Sequence, residues 1–308
     1  MSTSSAGSPL IIFCGKGGVG KTSLALASAL WHATRERPVV VVTSHPLWEL
    51  AASVSLAGLK EKMPAAAANL FLIHIDPREV LANKARQMIP SQLLVKKILA
   101  SPIYQNLVEV APGLKEMAFL GRLHQLAEDR SQEGTPGKFD LLIWDAPATG
   151  HFLQTLKVSQ SFEMYLSGPF ALLGKEVAEF FADPSQLNLV PVTTLEEMAV
   201  DETLELCEKL RDELRLRPRG LICNMASPLL ASPDSDIENL YRGLAADGEN
   251  SPSLKFILDR HAAERSLLQK LQSQIETEFH IVERRSSWNS DLDLLLNLSR
   301  QLGKIPWI

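Results

Sequence analysis

Along this chain, short stretches that are apolar almost throughout alternate with longer ones in which apolar residues recur every three or four positions. The short stretches are Leu10–Cys14, Val39–Thr43, Leu70–Asp76, Phe139–Asp145, Leu187–Thr193, Gly220–Asn224 and Phe279–Val282, and each is read as a strand. Val39-Val40-Val41-Val42 and Leu141-Leu142-Ile143-Trp144 offer apolar side chains to both faces of a strand, as in a parallel sheet covered by helices on each side. Strand–helix alternation predicts an α/β fold with a doubly wound, mostly parallel sheet. Two stretches, about 78–130 and 150–185, are helix-rich and carry no strand pattern. They are read as helical insertions on a single domain spanning 1–308, with Glu133–Gly137 and Ala245–Pro252 as surface loops.

Composition narrows the setting. The 308 residues are 45% hydrophobic and 22% charged, enough to bury a sizeable core. A net charge of −5 predicts no nucleic-acid partner, which would ask for a basic face. Cys14, Cys207 and Cys223 are widely spaced, which suits neither a disulfide framework nor a zinc cluster and fits a reducing compartment. Met1–Ser8 lacks the cationic and apolar segments of a secretory signal, and no run reaches the ~18 apolar residues of a membrane span. A cytoplasmic location is expected.

The strongest motif is Gly15-Lys16-Gly17-Gly18-Val19-Gly20-Lys21-Thr22, which satisfies G-x-x-x-x-G-K-[ST]. It lies between the strand Leu10–Cys14 and a helix-forming run that opens with Ser23. That setting makes the fold one of P-loop NTPase type. Glycines let the backbone curl round a phosphate with its N–H groups inward, and the helix start adds its positive end. The expected nucleotide-binding residues are Gly15, Gly17, Gly18, Val19, Gly20, Lys21, Thr22 and Ser23. Lys21 should touch β- and γ-phosphate oxygens, and the Thr22 hydroxyl should bind Mg²⁺. Lys16 is a second lysine in the loop. It is either a solvated surface group or a cation that reaches a phosphate held by a second subunit, where it would offset charge developing in phosphoryl transfer.

With that loop the chain resembles the arsenical-pump ATPase and tail-anchored-protein targeting ATPase family, part of the larger group that includes the MinD and ParA ATPases. Further segments carry the resemblance. Ile75-Asp76-Pro77 is similar to the family's I-D-P after its third strand, and Ala111-Pro112-Gly113-Leu114-Lys115-Glu116 to its P-G-x-x-E segment. Asp145-Ala146-Pro147-Ala148-Thr149-Gly150-His151 is similar to its D-T-A-P-T-G-H switch, and Gln274-Ile275 with Phe279-His280-Ile281-Val282 to its late helix–strand junction. Ile89–Leu123 looks most like single-domain bacterial members.

The resemblance implies ATP and Mg²⁺, a dimer with two nucleotides at its interface, Lys16 crossing to the partner's ATP, and a helical subdomain able to form an apolar groove. Asp145 closes an apolar strand beside the P-loop, where a carboxylate is placed to bind Mg²⁺. Asn224 stands where the family recognises adenine; it is otherwise a turn-forming asparagine. His151 is either part of the loop that senses the γ-phosphate or a structural histidine.

The sequence departs from the family at two places. The first switch, usually S-T-D-P-A-H-S-L, reads Thr43-Ser44-His45-Pro46-Leu47-Trp48-Glu49-Leu50. The aspartate expected to position the attacking water is His45, whose reach and geometry differ from those of a carboxylate. Slow ATP hydrolysis is therefore expected, or hydrolysis only beside a competent partner. The zinc-binding C-x-x-C of the targeting ATPases falls on Leu258 and His261, so no zinc is expected. Scattered cysteines also make arsenite an unsuitable cargo.

Phe162, Met164, Leu166, Phe170, Leu172, Leu173, Val177, Phe180 and Phe181 form either core or a groove for an apolar client helix. Asp291–Leu302 is leucine-rich without the cations of a membrane-surface helix, and is expected to pack on the sheet. The sequence thus predicts a dimeric Mg-ATPase whose cycle controls a client or a membrane-protein partner. The alternative is a weakly hydrolysing nucleotide-binding subunit of a heterodimer with a competent paralogue, so a homodimer and a heterodimer both stay open.

Overall fold

The computed structural model describes residues 10–43, 56–128, 138–161, 169–231, 239, 243, 252–284 and 290–308. The chain opens with β1 (Leu10–Cys14), α1 (Lys21–Ala33) and β2 (Val39–Thr43), followed by α2 (Leu56–Lys62), α3 (Pro64–Asn69) and β3 (Leu70–His74). Then come α4 (Pro77–Met88), α5 (Gln92–Ala100), α6 (Pro102–Val110) and α7 (Leu114–Glu128) without a strand between them. β4 (Leu141–Asp145), α8 (Thr149–Ser161), α9 (Pro169–Ala182), β5 (Leu187–Thr194), α10 (Glu197–Asp212) and β6 (Gly220–Ala226) follow. The chain closes with α11 (Pro228–Ala231), α12 (Pro252–Gln274), β7 (Glu278–Glu283) and α13 (Asp291–Leu302).

The strands form one seven-stranded sheet in the order β3-β2-β4-β1-β5-β6-β7, and every pairing is parallel. The pleat sends successive side chains to opposite faces. Ile11, Phe13, Val39, Val41, Leu141 and Ile143 join Leu24, Leu30 and the leucines of α13 in one core. Leu10, Ile12, Val40, Val42, Leu142 and Trp144 meet Leu120, Leu123, Phe152 and Leu206 in the other. A third cluster packs β6 and α10 against Leu268 and Leu271 of α12. This two-sided burial accounts for the absence of a polar face in β1, β2 and β4.

The third strand is shorter than its apolar pattern suggests. β3 ends at His74 rather than Asp76, because Asp76 caps α4: its carboxylate accepts from the Arg78 N–H at 2.8 Å, and Pro77 takes the first helical position. β4 likewise begins at Leu141 rather than Phe139. The closing helix does pack on the fold, burying Leu292, Leu295, Leu298 and Leu302. At its end Gly303 lies so close to the Trp31 ring of α1 that a side chain there would collide with it.

Where the second insertion is described, Val177, Phe180 and Phe181 are buried in the core beside α7 and α8. Phe162, Met164 and Leu166 lie outside the described residues, as do the side chains of Phe170, Leu172 and Leu173. The first insertion instead exposes Leu93, Ile103, Leu107 and Val110. No helix among the described residues is long and apolar enough to cross a membrane.

Candidate functional site

The order of strands places the P-loop. β1 lies between β4 and β5, so the loop that leaves its carboxyl end sits where connections depart to opposite sides of the sheet, the usual ligand crevice of such folds. Gly15, Gly18 and Gly20 adopt φ of 137°, 86° and 92°, the left-handed region that glycine enters freely. At Gly15 a side chain would also run into the Val192 carbonyl of β5. Gly17 and Gly18 are exposed, and a Cβ on either would meet nothing within 4 Å. Gly20 is the N-cap of α1 and has no side chain to satisfy the first-turn N–H groups, which leaves the positive end of the helix to an anion.

The side chains converge on that loop. Lys21 is buried at the first position of α1, and its Nζ donates to the Lys16 carbonyl at 2.8 Å. Burial holds the Lys21 ammonium below its ordinary value, and the neighbouring Asp145 charge is the main opposing influence. Thr22 Oγ1 donates to Asp145 Oδ2 at 2.7 Å. Asp145 ends β4 and stands in register with Phe13 of β1 and Thr43 of β2. A hydroxyl and a carboxylate oxygen side by side beneath the loop are hard donors of the kind Mg²⁺ prefers, so the residues present fit the cation. The glycine cradle, the uncapped helix start and Lys21 fit its phosphates.

Asn224 also belongs to this constellation. It is buried on β6, its Nδ2 donates to the Val19 carbonyl at 2.8 Å, and a side chain at Gly20 would strike it. Met225 follows with φ 58°, where the pairing of β6 with β7 shifts register. Lys16 Nζ lies 3.9 Å from Glu202 on α10, both about a third exposed. The sequence reading missed Glu202, which no motif marks. Ser23 is half-buried in the first turn of α1.

His151 is exposed on the first turn of α8. It borders a cavity of about 160 Å³ that also touches Pro77, Glu116, Trp144 and Pro147. Three segments far apart in sequence, Ile75–Pro77, Pro112–Glu116 and Asp145–His151, thus meet between the strand ends and the first insertion. His45 and Glu49 lie outside the described residues.

The cysteines are buried on β1, α10 and β6. Burial pushes the Cys207 and Cys223 thiols up to about 12 and Cys14 higher still, so none is a thiolate near neutrality. Among the described residues no three His, Cys, Asp or Glu side chains form a metal cluster.

The family model described as anion-transporting ATPase matches residues 8–175, more than half of the chain, including the glycine loop, the first insertion and the Asp145–His151 segment. The chain belongs to the anion-transporting ATPase family. Among relatives of this family member, an arsenical pump-driving ATPase of Acidiphilium multivorum is 28% identical over 239 residues, 71% of this chain and 40% of the relative. The ATPase BagA of Mycobacterium tuberculosis is 25% identical over 276 residues, 82% of this chain and 77% of the relative. The ATPase GET3B of Arabidopsis thaliana is 25% identical over 264 residues, 70% of this chain and 63% of the relative. The chain thus matches only about two-fifths of the length of the pump-driving ATPase.

Proposed function

We propose that this family member is a Mg-ATP-dependent ATPase that works as a dimer and uses its nucleotide cycle to control a client or partner protein. The observation that carries the reading is the Thr22–Asp145 hydrogen bond directly beneath a glycine loop whose lysine, Lys21, is buried.

Each residue has a physical task in this reading. The N–H groups of the Gly15–Gly20 loop and the start of α1 bind phosphate oxygens. Lys21 holds a positive charge in a partly desolvated place, where it counters phosphate charge more strongly than in water. Thr22 and Asp145 would hold Mg²⁺, which neutralises charge on the phosphates when bound. Asn224 offers an amide that can serve adenine as well as the Val19 carbonyl. Lys16, which among the described residues pairs with Glu202 in a long, partly exposed contact, would be released at little cost to reach a partner's nucleotide. Arsenite is an unsuitable cargo, since three buried thiols on separate elements offer no joint thiolate site.

Nucleotide-dependent association tests the dimer. Light scattering should show monomers with ADP and dimers with a non-hydrolysable ATP analogue and Mg²⁺, and Lys16→Ala should weaken the dimer by about tenfold, the worth of one charge-assisted contact. A protein that stays monomeric with the analogue bound would end this reading. A second reading rests on His45 in the first switch: a subunit that binds ATP, hydrolyses it weakly and supports a competent paralogue.

A further inference from the structure

The first insertion carries charge of one sign. Between Val80 and Val108 the charged residues are Lys84, Arg86, Lys96 and Lys97, with no carboxylate, in a chain whose net charge is −5. Among the described residues none of these cations forms an ion pair; Arg86 donates to the Asn83 amide oxygen. The next carboxylate along the chain, Glu109, is already matched by Arg78 and Lys115.

The apolar residues of the same segment face outward. On α5, Val95 is the buried residue, and Leu93, Lys96 and Lys97 follow the i, i+3, i+4 spacing of one helix face on the other side. Leu93 is 76% exposed there, and both lysines are exposed. On α6, Val108 is the buried residue, while Ile103, Leu107 and Val110, at i, i+4 and i+7, are 83%, 56% and 75% exposed. Ser101 joins the two helices. It is the C-cap of α5 and the N-cap of α6, its Oγ accepting from the Tyr104 N–H at 3.2 Å. Lys97 and Ile103 are thus each within ~6 Å of the same corner along their helix axes. Arg86, in the last turn of α4, stands beside α6: burial raises the Tyr104 hydroxyl and the Arg86 charge opposes it.

A single exposed leucine is ordinary, but an outward apolar stripe flanked by unpaired cations marks an interaction surface. A helix that lies on a bilayer combines the two: apolar side chains enter the boundary beneath the headgroups, and lysines meet anionic lipid. By contrast, α13 buries its leucines and opens with Asp291 and Asp293. The hollow between α4, α6 and α7 is lined by Val80, Leu114 and Met117, and Leu93, Ile103 and Val110 lie outside it. A client helix seated in that hollow would leave them bare. We propose that the corner of α5 and α6 docks on an anionic membrane surface, with Leu93, Ile103 and Val110 in the lipid boundary and Arg86, Lys96 and Lys97 against the headgroups.

The test floats the full chain, without nucleotide, with vesicles of phosphatidylcholine alone or with about one-third phosphatidylglycerol, so that its result is separate from the ATP reading. Wild type should bind the anionic vesicles at least tenfold more tightly than the neutral ones, and raised salt should release it. Lys96→Gln/Lys97→Gln should weaken that binding at least tenfold, since each cation near such a surface contributes about fivefold. Leu93→Ser/Ile103→Ser should weaken it as much and leave the melting temperature nearly unchanged, because both side chains are exposed. Equal affinity for the two compositions, no binding to either, or wild-type binding by either variant would overturn the proposal. So would a chain that ignores vesicles and self-associates in a way that Leu93→Ser/Ile103→Ser abolishes, which would assign the corner to a second copy.

Discussion

Thr22 and Asp145, 123 residues apart, are joined by a 2.7 Å hydrogen bond from the threonine hydroxyl to the carboxylate. The contact ties the first turn of α1 to the carboxyl end of β4, and so brings the glycine loop and the Asp145–His151 segment to one point. If this pair holds the cation, Asp145→Asn should keep the fold but lower Mg-ATP affinity by about tenfold or more, since it removes the one charged donor of the pair. Affinity for ATP in EDTA should change little. Calorimetry with and without Mg²⁺ separates the two, and equal losses in both would mean that Asp145 serves the loop rather than the cation.

Glu202 faces Lys16 at 3.9 Å. Exposed pairs of this kind contribute about 0–1 kcal/mol, so Glu202→Gln should leave the melting temperature nearly unchanged. It should release Lys16, however, and strengthen ATP-dependent association by up to about fivefold. Sedimentation with a non-hydrolysable analogue reads this directly; an unchanged association constant would show that Glu202 exerts no hold on Lys16.

Asn224 supports the loop through the Val19 carbonyl. Asn224→Ala strands that buried acceptor, at a cost of about 1–3 kcal/mol in unfolding free energy. If the amide also reads the base, the preference for ATP over GTP should shrink in the same variant. Denaturant titration and nucleotide competition measure the two effects, and loss of stability with an unaltered base preference would assign Asn224 to the loop alone.

His32 should make the fold acid-sensitive. Burial, followed by the Arg37 and Arg35 charges, depresses its imidazole from 6.5 to about 4. Arg37 Nη1 lies 3.2 Å from His32 Nδ1, and because a guanidinium only donates, Nδ1 accepts and the ring is neutral. Between pH 6.5 and 4 the unfolded chain binds the proton that the folded chain refuses, so stability falls as pH falls through that window. The loss between neutrality and pH 5 should be about 2 kcal/mol. Urea unfolding of wild type and His32→Gln at both pH values checks it: the variant should lose that part of the slope.

The P-loop was legible because its chemistry is local: the glycines, Lys21, Thr22 and the strand–loop–helix setting lie within fourteen residues, Leu10 to Ser23. Asp145 was legible because it ends an apolar strand. Even the Asp76-Pro77 cap carried its signal, a capping aspartate before a first-turn proline. The partners of Lys16 and Asn224 were not legible, because they depend on how α10 and β6 pass the loop. Nor could the sequence tell which apolar insertion is core. Phe180 and Phe181 are buried against neighbouring aromatic rings, whereas Ile103 and Val110, no less apolar, are exposed on the one short helix α6, which buries Val108.

Steady-state ATP hydrolysis by the purified chain, with Lys21→Ala alongside and ATP binding measured in the same samples, tests the central claim most directly. Mg²⁺-dependent turnover that Lys21→Ala abolishes is the predicted result, and it would show that His45 in the first switch is no barrier. ATP binding without turnover, restored by His45→Asp, would contradict a self-sufficient ATPase and transfer the catalytic role to a partner.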